Sequence, residues 1–124
     1  MDTFTKLATE STPNVDFDIQ SSVYEIRGKS IPLKTSEFYQ PIINWLRGFS
    51  DDIKDGSKVK IDLEYLNPES YKWLIHIFRI FERSNKMGAK ITVQWFFDEG
   101  DEEIKELGKE LDQIVDLPFR ITAN

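Results

Sequence analysis

The stretch LEYLNPESYKWLIHIF, Leu63 to Phe78, contains two patterns that cannot belong to one element. Upstream and into it, Val59, Ile61 and Leu63 alternate with polar residues, which is the strand period. Downstream, Tyr71, Trp73, Leu74, Ile75, Ile77, Phe78, Ile80 and Phe81 cover well over half the circumference of a helix. Between them lies Asn67-Pro68-Glu69-Ser70. Asn is a favoured N-cap, Pro a favoured first helical residue, and an acid in the first turn suits the helix dipole. The spacing predicts a helix over 69–86, closed by Met87-Gly88. Ser70 falls in its first turn, where its hydroxyl is expected close to the free amides of the helix start. A phosphate is well received at such a place. The segment therefore reads as a cap and also as a possible phosphorylation switch.

Outward from this junction, further units follow. Ile91, Val93, Trp95 and Phe97 alternate as the next strand, and residues 59–64 and 91–97 are expected to be adjacent core strands. Phe38, Ile42, Trp45, Leu46 and Phe49 predict a helix over 36–50 with Ser36 as N-cap and Pro41 near its start. Val15, Phe17 and Ile19, then Tyr24 and Ile26, predict a hairpin with strands 14–19 and 22–28. Ile104, Leu107, Leu111, Ile114 and Val115 stripe a third helix, and Phe119 and Ile121 suit a last strand. Residues 1–13 lack periodicity and read as a mobile arm ahead of a single domain over 14–124. The predicted fold is α/β, in the order β-β-α-β-α-β-α-β. Right-handed crossovers imply a mixed sheet with helices mainly on one face.

The 124 residues suit one domain, and 40% hydrophobic with 31% charged residues is the balance of an ordinary globule. No cysteine is present, which excludes disulfides and thiol catalysis and fits a reducing cytoplasm. No apolar run approaches a membrane span, and the first residues lack signal-peptide order. A cytoplasmic location is expected. A net charge of −6 argues against nucleic acid and anionic membranes as partners. Nine acids between Asp98 and Asp116 face only Lys105 and Lys109, a solvated helix face or a docking surface for a basic partner.

Enzyme signatures are missing. His76, the single histidine, lies on a stripe with Lys72, Arg79, Arg83 and Lys86. No glycine-rich phosphate loop, GxSxG or two-histidine metal spacing occurs. The expectation is no catalytic residue, no metal and no cofactor. Either neighbours pack both flanks of the central apolar helix, or Trp73 and Ile80 at its edge meet a partner.

The chain resembles the SiaC family of bacterial regulatory phosphoproteins, whose fold is like that of anti-sigma-factor antagonists (the STAS type). The resemblance runs from Ser11 to about Ile121. It is carried by Ser11-Thr12-Pro13, Gly28-x-Ser30-x-Pro32, Phe38-x-x-Pro41-x-x-x-Trp45-Leu46, Leu63-x-Tyr65-Leu66-Asn67 with Lys72, Trp95-x-Phe97-Asp98-Glu99 and Leu117-Pro118-Phe119. It implies a non-enzymatic partner switch. The implied partners are a protein kinase with a histidine-kinase-like ATPase fold, a PP2C-type phosphatase and a diguanylate cyclase that controls cyclic-di-GMP and biofilm formation. In the family an Asn-Thr-Ser-Ser segment at the start of the second helix carries the phosphoacceptor threonine. Here Pro68 stands at the threonine and Glu69 at the next serine, so Ser70 keeps the segment's hydroxyl. Ser70 is the candidate phosphoacceptor, and Asn67, Pro68, Glu69, Ser70, Lys72 and Trp73 are the candidate partner-binding switch. Leu33-Lys34 replaces the usual Glu-Asn, which alters part of the implied docking surface. The alternative reading is a STAS-like module that binds a small apolar ligand or lipid, suggested by nine Phe, four Tyr and three Trp.

Overall fold

A strand–helix–strand unit with right-handed crossover places its helix on one face of the sheet. Successive units that step in the same direction place every helix on the same face. The computed structural model, which describes residues 2–124, has this arrangement. Its strands are β1 (Thr3–Lys6), β2 (Asn14–Asp18), β3 (Val23–Ser30), β4 (Ser57–Leu66), β5 (Ile91–Phe97) and β6 (Phe119–Ala123). Helices α1 (Thr35–Phe49), α2 (Pro68–Lys86) and α3 (Glu102–Ile114) fill the gaps from β3 onward, with a short 3-10 turn, Ser50–Asp52, after α1. All the strands form one sheet in chain order. The β1–β2–β3 pairs are antiparallel, and those from β3 to β6 are parallel.

The register explains the core. One row across the sheet is Phe17, Tyr24, Val59, Val93 and Phe119. The next inward row is Val15, Ile26, Ile61, Trp95 and Ile121. Between them runs a polar row on the other face, Asp16, Glu25, Lys60, Gln94 and Arg120. The period of two thus separates a helix-covered face from an open one. Strands 59–64 and 91–97 are neighbours, as expected.

Helix α2 lies centrally. Leu74, Ile77, Phe78 and Phe81 are fully buried. On one flank Trp73 stacks on Tyr39 of α1, at 6.2 Å between centroids and 9° between planes. On the other, the Tyr71 hydroxyl donates to Glu110 of α3 at 2.9 Å. Neighbours on both sides therefore consume the wide apolar arc.

Several expectations need correction. Residues 3–6 of the expected arm are strand β1, paired with β2 through Phe4 and Phe17. Met1 lies outside the described residues. The chain order is β-β-β-α-β-α-β-α-β, one strand more than predicted. Only Phe4 in β1 is apolar and partly buried, packing against Trp45, so the edge strand is too short to show a period. Helix α1 starts at Thr35, and the residue before it, Lys34, makes no side-chain cap. Ser36 is inside the helix and caps nothing. Pro41 is therefore past the first turn, and its missing N–H leaves the Glu37 carbonyl without its helical donor. Both residues are solvent-exposed, where this loss is least costly. Ile114, expected in the apolar stripe of α3, is 41% exposed.

Candidate functional site

The segment 67–73 begins at the C-terminal edge of the parallel strands, and a bulge aims it. Gly28 of β3 pairs with Leu63, but Lys29 pairs with Tyr65, so Glu64 is an extra residue. Such an insertion reverses the faces of the residues that follow. Tyr65, inward by simple alternation, turns out and is 58% exposed, while Leu66 is partly buried against the core. The Lys29 ammonium lies 5.6 Å from the Tyr65 ring centroid. Ser30 at the end of β3 pairs with Leu66, and its carbonyl accepts the Asn67 amide at 3.0 Å.

The helix start then builds on Asn67. Its side-chain oxygen accepts the Ser70 amide at 2.8 Å, and its carbonyl accepts the Tyr71 amide at 3.1 Å. Pro68 and Glu69 are exposed. The Glu69 carboxylate lies 3.6 Å from the Lys72 ammonium, a solvated pair of small energetic value. Trp73 is half-buried on the α1 side, against Tyr39 and His76.

Ser70 does not face the helix-start amides. It is 0% exposed, and its hydroxyl accepts from the Ser30 hydroxyl at 2.9 Å. The Ser30 hydroxyl also contacts the Tyr39 hydroxyl in a short hydrogen bond. Burial raises the Tyr39 pKa, and the bonds to Ser30 and Ser70 oppose that rise only partly. The result is a buried hydroxyl chain joining β3, α1 and α2. Sequence reasoning did not single out Ser30 or Tyr39 for it. A signal existed: Ser30 follows Tyr24, Ile26 and Gly28 at the inward period, and a polar residue there needs a partner.

Beside the helix start, apolar side chains meet solvent. Leu33 is 101% exposed and Ile31 41% exposed. Ile31 and Tyr65 line a cleft of about 200 Å³ with Asn67, Asp101 and Glu103. Leu33 and Pro32 line the neighbouring depression with Lys34 and Phe38. No helix among the described residues is long and apolar enough to cross a membrane.

The chain is 28% identical over 116 residues to an uncharacterized protein of Pseudomonas aeruginosa strain UCBPP-PA14, covering 94% of this chain and 92% of that protein. Its fold matches apo-SiaC of Pseudomonas aeruginosa at a TM-score of 0.89 and 27% identity, over 99% of this chain and 100% of that one. It matches SiaC in complex with the diguanylate cyclase SiaD, which SiaC activates, at a TM-score of 0.89 and 27% identity, over 98% of this chain and 99% of SiaC. The family model for SiaC family regulatory phosphoproteins matches residues 7–124, and the chain belongs to that family of regulatory proteins.

Proposed function

We propose that this protein is a partner-switching regulator that binds and activates a diguanylate cyclase. The observation that carries the reading is the exposed apolar rim, Ile31, Leu33 and Tyr65, next to the start of α2. Exposed large apolar side chains grouped beside polar ones mark protein contact surfaces. Asn67, Pro68, Glu69, Lys72 and Trp73 continue that surface onto α2. The SiaC fold seen bound to SiaD supports a cyclase as the partner. Family membership supports a kinase of histidine-kinase-like ATPase fold and a PP2C-type phosphatase as further partners. What such a pair can write on this chain is limited by the burial of Ser70. The ligand-binding alternative loses its motivation, because Phe17, Tyr24, Tyr39, Phe78, Phe81 and Trp95 are fully buried in the core itself.

The test is binding to a SiaD-type cyclase by calorimetry, with cyclic-di-GMP output measured alongside. Leu33→Glu and Tyr65→Glu should each weaken binding by about tenfold or more, the scale of a hot-spot loss. Their melting temperatures should stay close to that of the unmodified chain, since both side chains are exposed. A chain that neither binds the cyclase nor raises its output overturns the reading.

A further inference from the structure

We infer that the start of α2 is locked in the unmodified form, so that the Ser70 hydroxyl is withheld from a protein kinase. The inference rests on the regulatory reading above and concerns its control. The segment 67–70 offers one hydroxyl, that of Ser70. Phosphorylating it would form a bond from Oγ to the γ-phosphorus of ATP, break the bond to the ADP oxygen and pass the hydroxyl proton to a kinase base. Such a transfer needs the attacking oxygen in line with the leaving one, inside the kinase cleft. Here Oγ is 0% exposed and accepts from Ser30 at 2.9 Å.

Four contacts hold it there. The Ser70 amide is fixed to the Asn67 side chain at 2.8 Å. The Asn67 amide is fixed to the Ser30 carbonyl at 3.0 Å. Ser30 therefore grips the segment twice, by hydroxyl and by carbonyl, and Tyr39 closes the chain behind it. Freeing Oγ means unwinding the first turn of a helix whose next turn is anchored by fully buried Leu74. Pro68 at the first helical position opposes that unwinding, since its ring holds φ near the helical value. Glu69 does not stand in for a phosphate. It carries one charge where a phosphate carries more, and it lies against Lys72 at 3.6 Å.

The absence of cysteine provides a clean probe. Glu69→Cys and Ser70→Cys, each the sole thiol, are treated with iodoacetamide under native conditions. Glu69→Cys should react at least about 100-fold faster, the ratio expected when a buried site reacts only through local opening. Amide exchange on the unmodified chain gives the same information without a substitution, and the Ser70 amide should be protected. In parallel, the family's cognate kinase and ATP are applied to the unmodified chain and to Pro68→Thr, with phosphate mapped by mass spectrometry. The unmodified chain should carry none on Ser70, and Pro68→Thr should be labelled at position 68, whose side chain is exposed. Phosphate on Ser70, an unprotected Ser70 amide, thiol rates within tenfold of each other, or an unlabelled Pro68→Thr would each overturn the lock. Cyclase binding is read separately, so loss of the lock and loss of the regulatory reading are distinguishable.

Discussion

The Ser30 hydroxyl donates to the Ser70 hydroxyl at 2.9 Å across 40 positions of chain, tying the last inward residue of β3 to the first turn of α2. Tyr39 completes the cluster from α1. All three side chains are buried, so each hydroxyl depends on the others. Ser30→Ala leaves the Tyr39 and Ser70 hydroxyls without this shared partner and should cost about 1–3 kcal/mol in urea unfolding. Ser30→Ala with Ser70→Ala should cost less than the two single losses added, because fewer orphaned hydroxyls remain. Strict additivity would show that the network is not coupled.

Gly108 gives a second expectation. It is buried in α3 with no room for a methyl group. A Cβ there would lie 2.4 Å from Cδ1 of Trp95. The Trp95 ring cannot swing away easily, since its Nε1 donates to the Ile104 carbonyl at 2.9 Å. Ala is the better helix former by about 1 kcal/mol. Overpacking of a filled core costs about 1–3 kcal/mol. Gly108→Ala should therefore be destabilising on balance, with altered tryptophan fluorescence as Trp95 moves. A variant more stable than the unmodified chain would mean that α3 shifts outward freely.

Phe78 anchors the sheet side of α2. It is fully buried and meets the Phe119 ring edge-on, with centroids 5.5 Å apart. Phe78→Ala should cost about 3–5 kcal/mol, the range for aromatic truncation in a core. Chemical denaturation measures it directly. A loss under about 1 kcal/mol would mean that the core closes over the gap.

The rows of the sheet were legible because Val59, Ile61, Val93 and Trp95 keep strict alternation, and a period of two names both strand and face. Asn67-Pro68 was legible because the helix start is chemically specific. Tyr65 was not, since nothing in Leu63-Glu64-Tyr65-Leu66 shows that Glu64 is the extra residue; the bulge exists only in the pairing with β3. Ser70 lay between these cases. It shares a helical face with Leu74, Ile77 and Phe81, at spacings of four, seven and eleven, which puts it inward. The exposed rim was partly legible: Leu33 is an apolar residue where the family pattern has an acid, but the exposure of Ile31 depends on the loop path after Ser30.

Tyr24 contributes to the response to alkali. Its ring is fully buried, edge-on to Phe17 at 5.4 Å and to Phe81 at 5.0 Å. Its hydroxyl has no hydrogen-bond partner among the described residues. The Ser57 hydroxyl lies close enough to favour the phenolate a little, but donates to the Lys54 carbonyl at 2.6 Å. Burial first, then the carboxylates of Asp18 and Asp52, push the Tyr24 pKa from 10.0 up to about 12. The unfolded phenol ionises near its ordinary value of about 10. Below that pH both states keep the proton and the full stability is present. As pH rises from 10 toward 12, the unfolded chain sheds a proton that the folded chain retains. Stability therefore falls, by at most about 1.4 kcal/mol per pH unit for this one group. Burial raises Tyr39 and Tyr71 as well, and both lower stability in alkali in the same direction. Tyr24→Phe removes the titration together with an unsatisfied hydroxyl. At pH 7 it should leave stability within about 1 kcal/mol or raise it. Urea unfolding at pH 8, 10 and 11 should show a shallower alkaline decline in Tyr24→Phe than in the unmodified chain. Identical slopes would place the alkaline sensitivity on other groups and show that the Tyr24 hydroxyl reaches solvent in the folded state.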